Sequence, residues 1–113
     1  MGAVPYLNRH LTLEEPQRVS DGAGGYVESW VPLGSLWASI EAGTGSKRSE
    51  DFATISVVPL RITVRGTPVG SPSRPKPEQR FTEGARTYVI LSVTEADPMG
   101  HYLICQAREE VSS

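Results

Sequence analysis

One cysteine, two histidines and no long apolar run set the outer limits on what this sequence can do. Cys105 stands alone, so no intrachain disulfide forms and nothing calls for an oxidising compartment. It reads as a small buried hydrophobe. His10 and His101 are far apart in the chain. His101 and Cys105, four positions apart on a strand, are separated by roughly 13 Å, too far to share an ion, so no metal site is expected. No apolar run approaches the roughly eighteen residues of a membrane-spanning helix. Met1-Gly2-Ala3-Val4-Pro5 lacks the basic start and apolar core of a signal peptide. Gly2 is followed by Tyr6 where a myristoylation site needs Ser or Thr. These absences predict a soluble protein of a reducing cytosol with no membrane partner.

Recognisable catalytic patterns are missing too. Gly43-Thr44-Gly45-Ser46-Lys47 has the wrong spacing for a phosphate-binding loop, and Arg48 stands where that loop needs Ser or Thr. No G-x-S-x-G motif frames a serine. Glu14-Glu15, Glu50-Asp51 and Glu109-Glu110 are adjacent pairs, and neighbours on a strand point to opposite faces, which suits solvated charge better than acid–base work. The expectation is a protein that is not an enzyme and has no catalytic residue, cofactor or metal.

What the chain does contain is glycine (11), proline (9) and period-2 alternation, the pattern of many short strands rather than long helices. Its 113 residues make one domain with a single modest core. Leu11 to Val19 alternates, with Pro16 implying an edge or a bulge. Asp21-Gly22-Ala23-Gly24-Gly25 is a turn, and Tyr26 to Val31 returns as the second arm of a hairpin. Pro32-Leu33-Gly34 reads as a corner before a third strand, Ser35 to Glu41. Lys47 to Ala53 reads as one helical turn. In Leu60 to Arg65 three aliphatics face one way, and Arg61, Thr63 and Arg65 face the other. Tyr88 to Thr94 and His101 to Arg108 are apolar at almost every position, which predicts strands buried on both sides. Val111-Ser112-Ser113 is expected to fray. About six strands in antiparallel hairpins close most naturally into a small all-β barrel.

The net charge of −2 hides an uneven distribution: Arg61 to Arg86 carries six basic and two acidic residues, while the remainder is acidic. Within that basic segment Thr67 to Gln79 holds four prolines and no apolar pattern. It predicts one long, extended loop. Doubled back, it would reach about 20 Å at 3.3 Å per residue, with Arg74 and Lys76 at its tip able to meet phosphates without sequence specificity.

Both tryptophans, Trp30 and Trp37, flank the Pro32–Gly34 corner. Core packing is the ordinary role for at least one of them; anchoring a contact between subunits is the other. The order Gly24-Gly25-Tyr26-Val27-Glu28-Ser29-Trp30, then Leu36-Trp37-Ala38-Ser39-Ile40-Glu41, then Arg80-Phe81-Thr82-Glu83-Gly84-Ala85-Arg86-Thr87-Tyr88-Val89-Ile90, resembles the bacteriophage head–tail adaptor and head-closure (stopper) family. That family occurs in tailed phages and phage-like gene transfer agents. The likeness runs from about Leu7 to Glu110; the Thr67–Gln79 segment is richer in proline and basic residues than the family pattern.

The resemblance implies a small β-barrel subunit of a homo-oligomeric ring, hexameric or dodecameric, in a virion or phage-like particle assembled in the bacterial cytoplasm. Its partners would be a portal or adaptor protein above and a tail terminator or tail tube protein below, with packaged double-stranded DNA in the lumen. On this reading Trp30, Trp37, Tyr26 and Arg80 belong to subunit or ring interfaces, and Arg74 and Lys76 face the channel; contact with the neighbouring ring and a plain solvated loop on the outer wall are the other places open to their segment. Two alternatives remain: a portal-proximal adaptor or tail terminator of the same particle, and an independent nucleic-acid-binding β-barrel that stacks bases on aromatics.

Overall fold

A computed structural model describes residues 6–43, 46–50 and 53–110. Eight strands follow one another: β1 (Arg9–Ser20), β2 (Tyr26–Ala42), β3 (Ser46–Glu50), β4 (Ala53–Val57), β5 (Leu60–Arg65), β6 (Arg80–Glu83), β7 (Arg86–Glu95) and β8 (Tyr102–Glu110). Six of them close a barrel in the order β1-β2-β5-β8-β7-β6, every neighbouring pair antiparallel. The other two form a separate antiparallel hairpin between β2 and β5. The expected all-β barrel is therefore what the chain builds.

Each strand turns alternate side chains inward, as a one-layer barrel demands. Leu11 and Leu13 of β1, Ile62 and Val64 of β5, Phe81 of β6, Tyr88 and Ile90 of β7, and Leu103 and Cys105 of β8 are all at most 1% exposed. Arg61 and Arg65 point out, as their alternation requires. Burial pushes the Cys105 thiol up to about 12, so it stays protonated and behaves as a small apolar group.

Four local expectations are corrected. Lys47 to Ala53 is not a helical turn: β3 and β4 pair Ser46 with Val57 through to Glu50 with Ala53, and residues 51–52 between them lie outside the described residues. Pro32-Leu33-Gly34 is not a corner between two strands. β2 runs unbroken past it, with an extra residue opposite Leu13/Glu14, which pair with Gly34 and Pro32. Such a bulge redirects a strand without ending it, and Gly34 carries a φ of 147° that a side chain would resist. β7 and β8 are not buried on both sides; Leu91, for example, is 54% exposed, because a barrel strand has one outer face. The fourth correction concerns Thr67–Gln79. It is not an extended finger but a run of turns, with N–H groups of Ser71, Arg74 and Gln79 donating to carbonyls of Pro68, Ser71 and Lys76 at 3.1, 3.1 and 3.2 Å. Pro75 is fully buried at the barrel end, so the segment folds back on the body. The tail at Val111–Ser113 lies outside the described residues.

The β1–β2 turn is built as its sequence predicts. Asp21 Oδ1 accepts from the N–H groups of Ala23 (2.7 Å) and Gly25 (3.0 Å), which also holds the carboxyl below its ordinary range. At the other end Gly66 is required for a different reason. A Cβ there would lie 2.0 Å from the Gly100 carbonyl oxygen, where the chain leaving β5 passes the β7–β8 turn.

Candidate assembly surfaces

The barrel closes over only part of its longest strands. β6 pairs with β1 through Thr12, Leu13 and Glu14 alone, and β5 pairs with β2 through Ala38 to Ala42 alone. Beyond those ladders, Glu15–Ser20 and Tyr26–Val31 pair with each other and, among the described residues, with no further strand. The result is a two-stranded ribbon running off the barrel, with a row of unpaired backbone groups along each edge.

Residues directly opposite on an antiparallel pair share a face. One face of the ribbon carries the pairs Val19–Val27, Gln17–Ser29 and Glu15–Val31. By alternation it continues the inward side of Leu11 and Leu13. Here none of the described residues covers it: Val19, Val27 and Val31 are 49%, 56% and 37% exposed. The opposite face carries Ser20–Tyr26, Arg18–Glu28 and Pro16–Trp30. Arginines cover its aromatics. The Arg80 guanidinium lies 4.0 Å from the Trp30 ring centroid while its Nε donates to Glu14 Oε1 at 2.6 Å, and the Arg18 guanidinium lies 5.7 Å from the Tyr26 ring.

Where β2 parts from β5, a cavity of about 480 Å³ opens in the barrel wall. One bank is the β2 segment Leu33 to Trp37; the other is Val64, Arg65, Thr67, Ser73 and Pro75, with Leu13 also among its lining residues. Trp37 stands at its rim, 55% exposed, with its ring 4.7 Å from the His10 imidazole.

On the far side of the barrel two groups of charged side chains are paired within the chain. Arg9 donates from Nε and Nη2 to Glu83 at 2.7 and 2.5 Å, and the Tyr88 hydroxyl donates to the same carboxylate at 3.0 Å. The Arg9 hydrogen bond is the main reason that the Glu83 carboxyl titrates below its ordinary range, and burial is the main reason that the Tyr88 phenol titrates above its own. Arg86 makes a two-pronged bond to Glu109 at 2.8 and 2.9 Å, which lowers the Glu109 carboxyl in the same way. These pairs tie β1, β6, β7 and β8 together.

The six residues singled out from sequence thus fall into separate groups. Trp30 and Arg80 meet in one stacked pair, which also takes in Glu14; Tyr26 sits further out on the same ribbon face. Trp37 borders the cavity. Neither tryptophan belongs to the core, contrary to the ordinary role for at least one of them: a barrel of six strands fills its interior with smaller side chains and one tyrosine. Arg74 and Lys76 stand on the folded-back segment. Arg74 Nη1 donates to the Thr67 carbonyl at 2.8 Å, and the Lys76 backbone N–H donates to the Gln79 side chain at 2.9 Å, leaving the Lys76 side chain exposed.

Sequence reading did not single out Val19, Val27 and Val31, although counting alternate positions back from the Asp21–Gly25 turn puts all three on one face. The cavity had no such signal, because its banks come from β2, β5 and the segment after β5.

Comparison with known proteins follows the same lines. The profile of the phage head completion protein family matches residues 3–110. A chain from the virion of a native gene transfer agent particle is 55% identical, with a TM-score of 0.81 over 97% of this chain and 100% of that one. The solution structure of a protein from Shigella flexneri 2a shares the fold alone: 18% identity and a TM-score of 0.66 over 95% of this chain and 96% of that one. No curated protein matches. A six-stranded barrel with an uncovered ribbon, matched from its third residue to the end of β8, belongs to the phage head completion protein family.

Proposed function

We propose that the chain is a non-enzymatic connector subunit of a phage-like particle, and that copies of it form a closed ring between the portal or adaptor and the tail. The ring retains packaged DNA in the head and presents the surface on which the tail docks. The observation that carries this reading is the likeness to a gene transfer agent virion chain at 55% identity over the whole of that chain. The uncovered ribbon and the open cavity support it, since a small barrel that worked alone would not leave its apolar inward face in water. Six copies are the number we propose. The described residues carry strands and no α-helix, which favours head closure over a helix-richer portal-proximal adaptor.

The mechanism is steric and electrostatic. A ring of subunits with net charge −2 does not grip the DNA that passes through it. Arg74 and Lys76 face the lumen, where they meet phosphates weakly and without sequence preference. Trp30, Trp37, Tyr26 and Arg80 lie at contacts with neighbouring subunits or rings.

Particles produced without this chain test the reading. The expected result is heads that lose their DNA and carry no tails. Tailed, DNA-filled particles in its absence would overturn it.

A further inference from the structure

We propose that successive copies are joined by a knob-and-slot contact: the valine face of one copy's β1–β2 ribbon seats in the apolar cavity beside Trp37 of the next. This rests on the ring reading above and names the contact that holds the ring together.

Each half of the contact is incomplete by itself. The ribbon projects Val19, Val27 and Val31 into solvent. Two strands alone have no second layer against which to bury them. Six residues, Glu15–Ser20, carry it about 20 Å past its last barrel pair at 3.4 Å per residue, far enough to overlie a neighbouring barrel's wall. The cavity is the complementary shape, a gap in that wall whose reachable apolar lining is Leu33, Leu36 and Trp37, with the buried Leu13, Val64 and Pro75 beneath. It is also bounded by the β2 edge that lacks a strand partner.

Charge points to a second copy rather than to another protein as the occupant. The valine face carries one charged side chain, Glu15, which is exposed, and the cavity lining carries one, Arg65, also exposed and opposite in sign. Seating the ribbon brings the two to the rim of the contact, where they select register and orientation. Knob and slot are different surfaces of the same chain, so each copy gives one knob and receives one. Repeated in one direction around an axis, as the ring reading requires, the contact is head-to-tail and is satisfied in every subunit once the ring closes.

Cysteine cross-linking in assembled particles tests this. Val27 and Ser35 are exposed, one on the knob and one on the slot bank, and Cys105 is wholly buried and silent. Particles assembled with the double variant V27C/S35C and then oxidised are expected to give a ladder of multimers of this chain, while either single variant gives none. Three results would overturn the proposal. A double variant that enters particles and gives no ladder leaves the ring reading standing but removes this contact. Cross-linking of the single variant V27C to a different protein makes the occupant a partner. Absence of the unsubstituted chain from particles brings down the ring reading first. A charge exchange provides a second reading that does not depend on thiol geometry. E15R and R65E should each lower incorporation into particles roughly tenfold by setting like charges against each other, and the double exchange should restore it; absence of rescue with all three variants folded contradicts the pairing.

Discussion

The two ends of β1 share a strand and an inward-facing side, yet Leu11 and Leu13 are 1% exposed while Val19 is 49% exposed. The difference is not in the residues, all aliphatic and all in alternation. It lies in what stands across from them. The first half of β1 has β6 on one flank and β2 on the other, within a closed barrel; the second half has β2 alone. Closure, not local pattern, decides which apolar residues become core. The uncovered half pairs with no third strand among the described residues.

Substitutions should fall into two classes that follow this division. The largest effect on stability belongs to the barrel. Phe81 is wholly buried, and Phe81→Ala should cost about 3–5 kcal/mol in a denaturant titration; a cost under about 1 kcal/mol would mean that the barrel interior is not the core. Next comes Glu83→Gln, which removes the carboxylate bound by Arg9 and Tyr88. With that site a quarter to a third exposed, the loss at neutral pH should be about 1 kcal/mol.

The same group sets an acid limit. The folded Glu83 carboxyl lies below its ordinary value of 4.5. Its stabilisation is therefore fully present above pH 4.5 and lost as the pH falls through the lower, folded value. Unfolding free energy measured from pH 7 to 3 should decline less steeply in Glu83→Gln than in the parent; equal slopes would refute the assignment. On the ribbon, Arg80→Ala unstacks Trp30 and frees Glu14, and should cost about 0.5–1 kcal/mol. Smallest of all, Glu78→Gly relieves a positive φ of 77° and should stabilise by about 0.5 kcal/mol, visible as a slightly higher melting temperature.

The barrel was legible in the sequence because alternation is a local signal: in Leu60 to Arg65 the three aliphatics are buried and both arginines exposed as read, while Thr63, read with the arginines, is buried as well. The Asp21–Gly25 turn was legible for the same reason, since one side chain closes it. Pro32-Leu33-Gly34 was misread because a bulge and a corner draw on the same residues, and only the partner strand tells them apart. Thr67–Gln79 was misread because proline suggests extension, whereas burial of Pro75 and the Arg74–Thr67 bond fold the segment down. Among the site residues, the meeting of Trp30 with Arg80 spans fifty positions and depends on barrel closure. The sequence named both residues without indicating that they touch. The cavity beside Trp37 was not legible at all, since it exists only where β2 and β5 part.

The central claim is that the barrel makes the fold while the ribbon makes the assembly, and Val27→Asp separates the two most directly. Its unfolding free energy and its amount in purified particles should be measured on the same preparation. The account predicts stability within about 1 kcal/mol of the parent, as for other exposed sites, together with loss from particles. Val27→Asp protein present in particles at the parent level, with its stability unchanged, would contradict it.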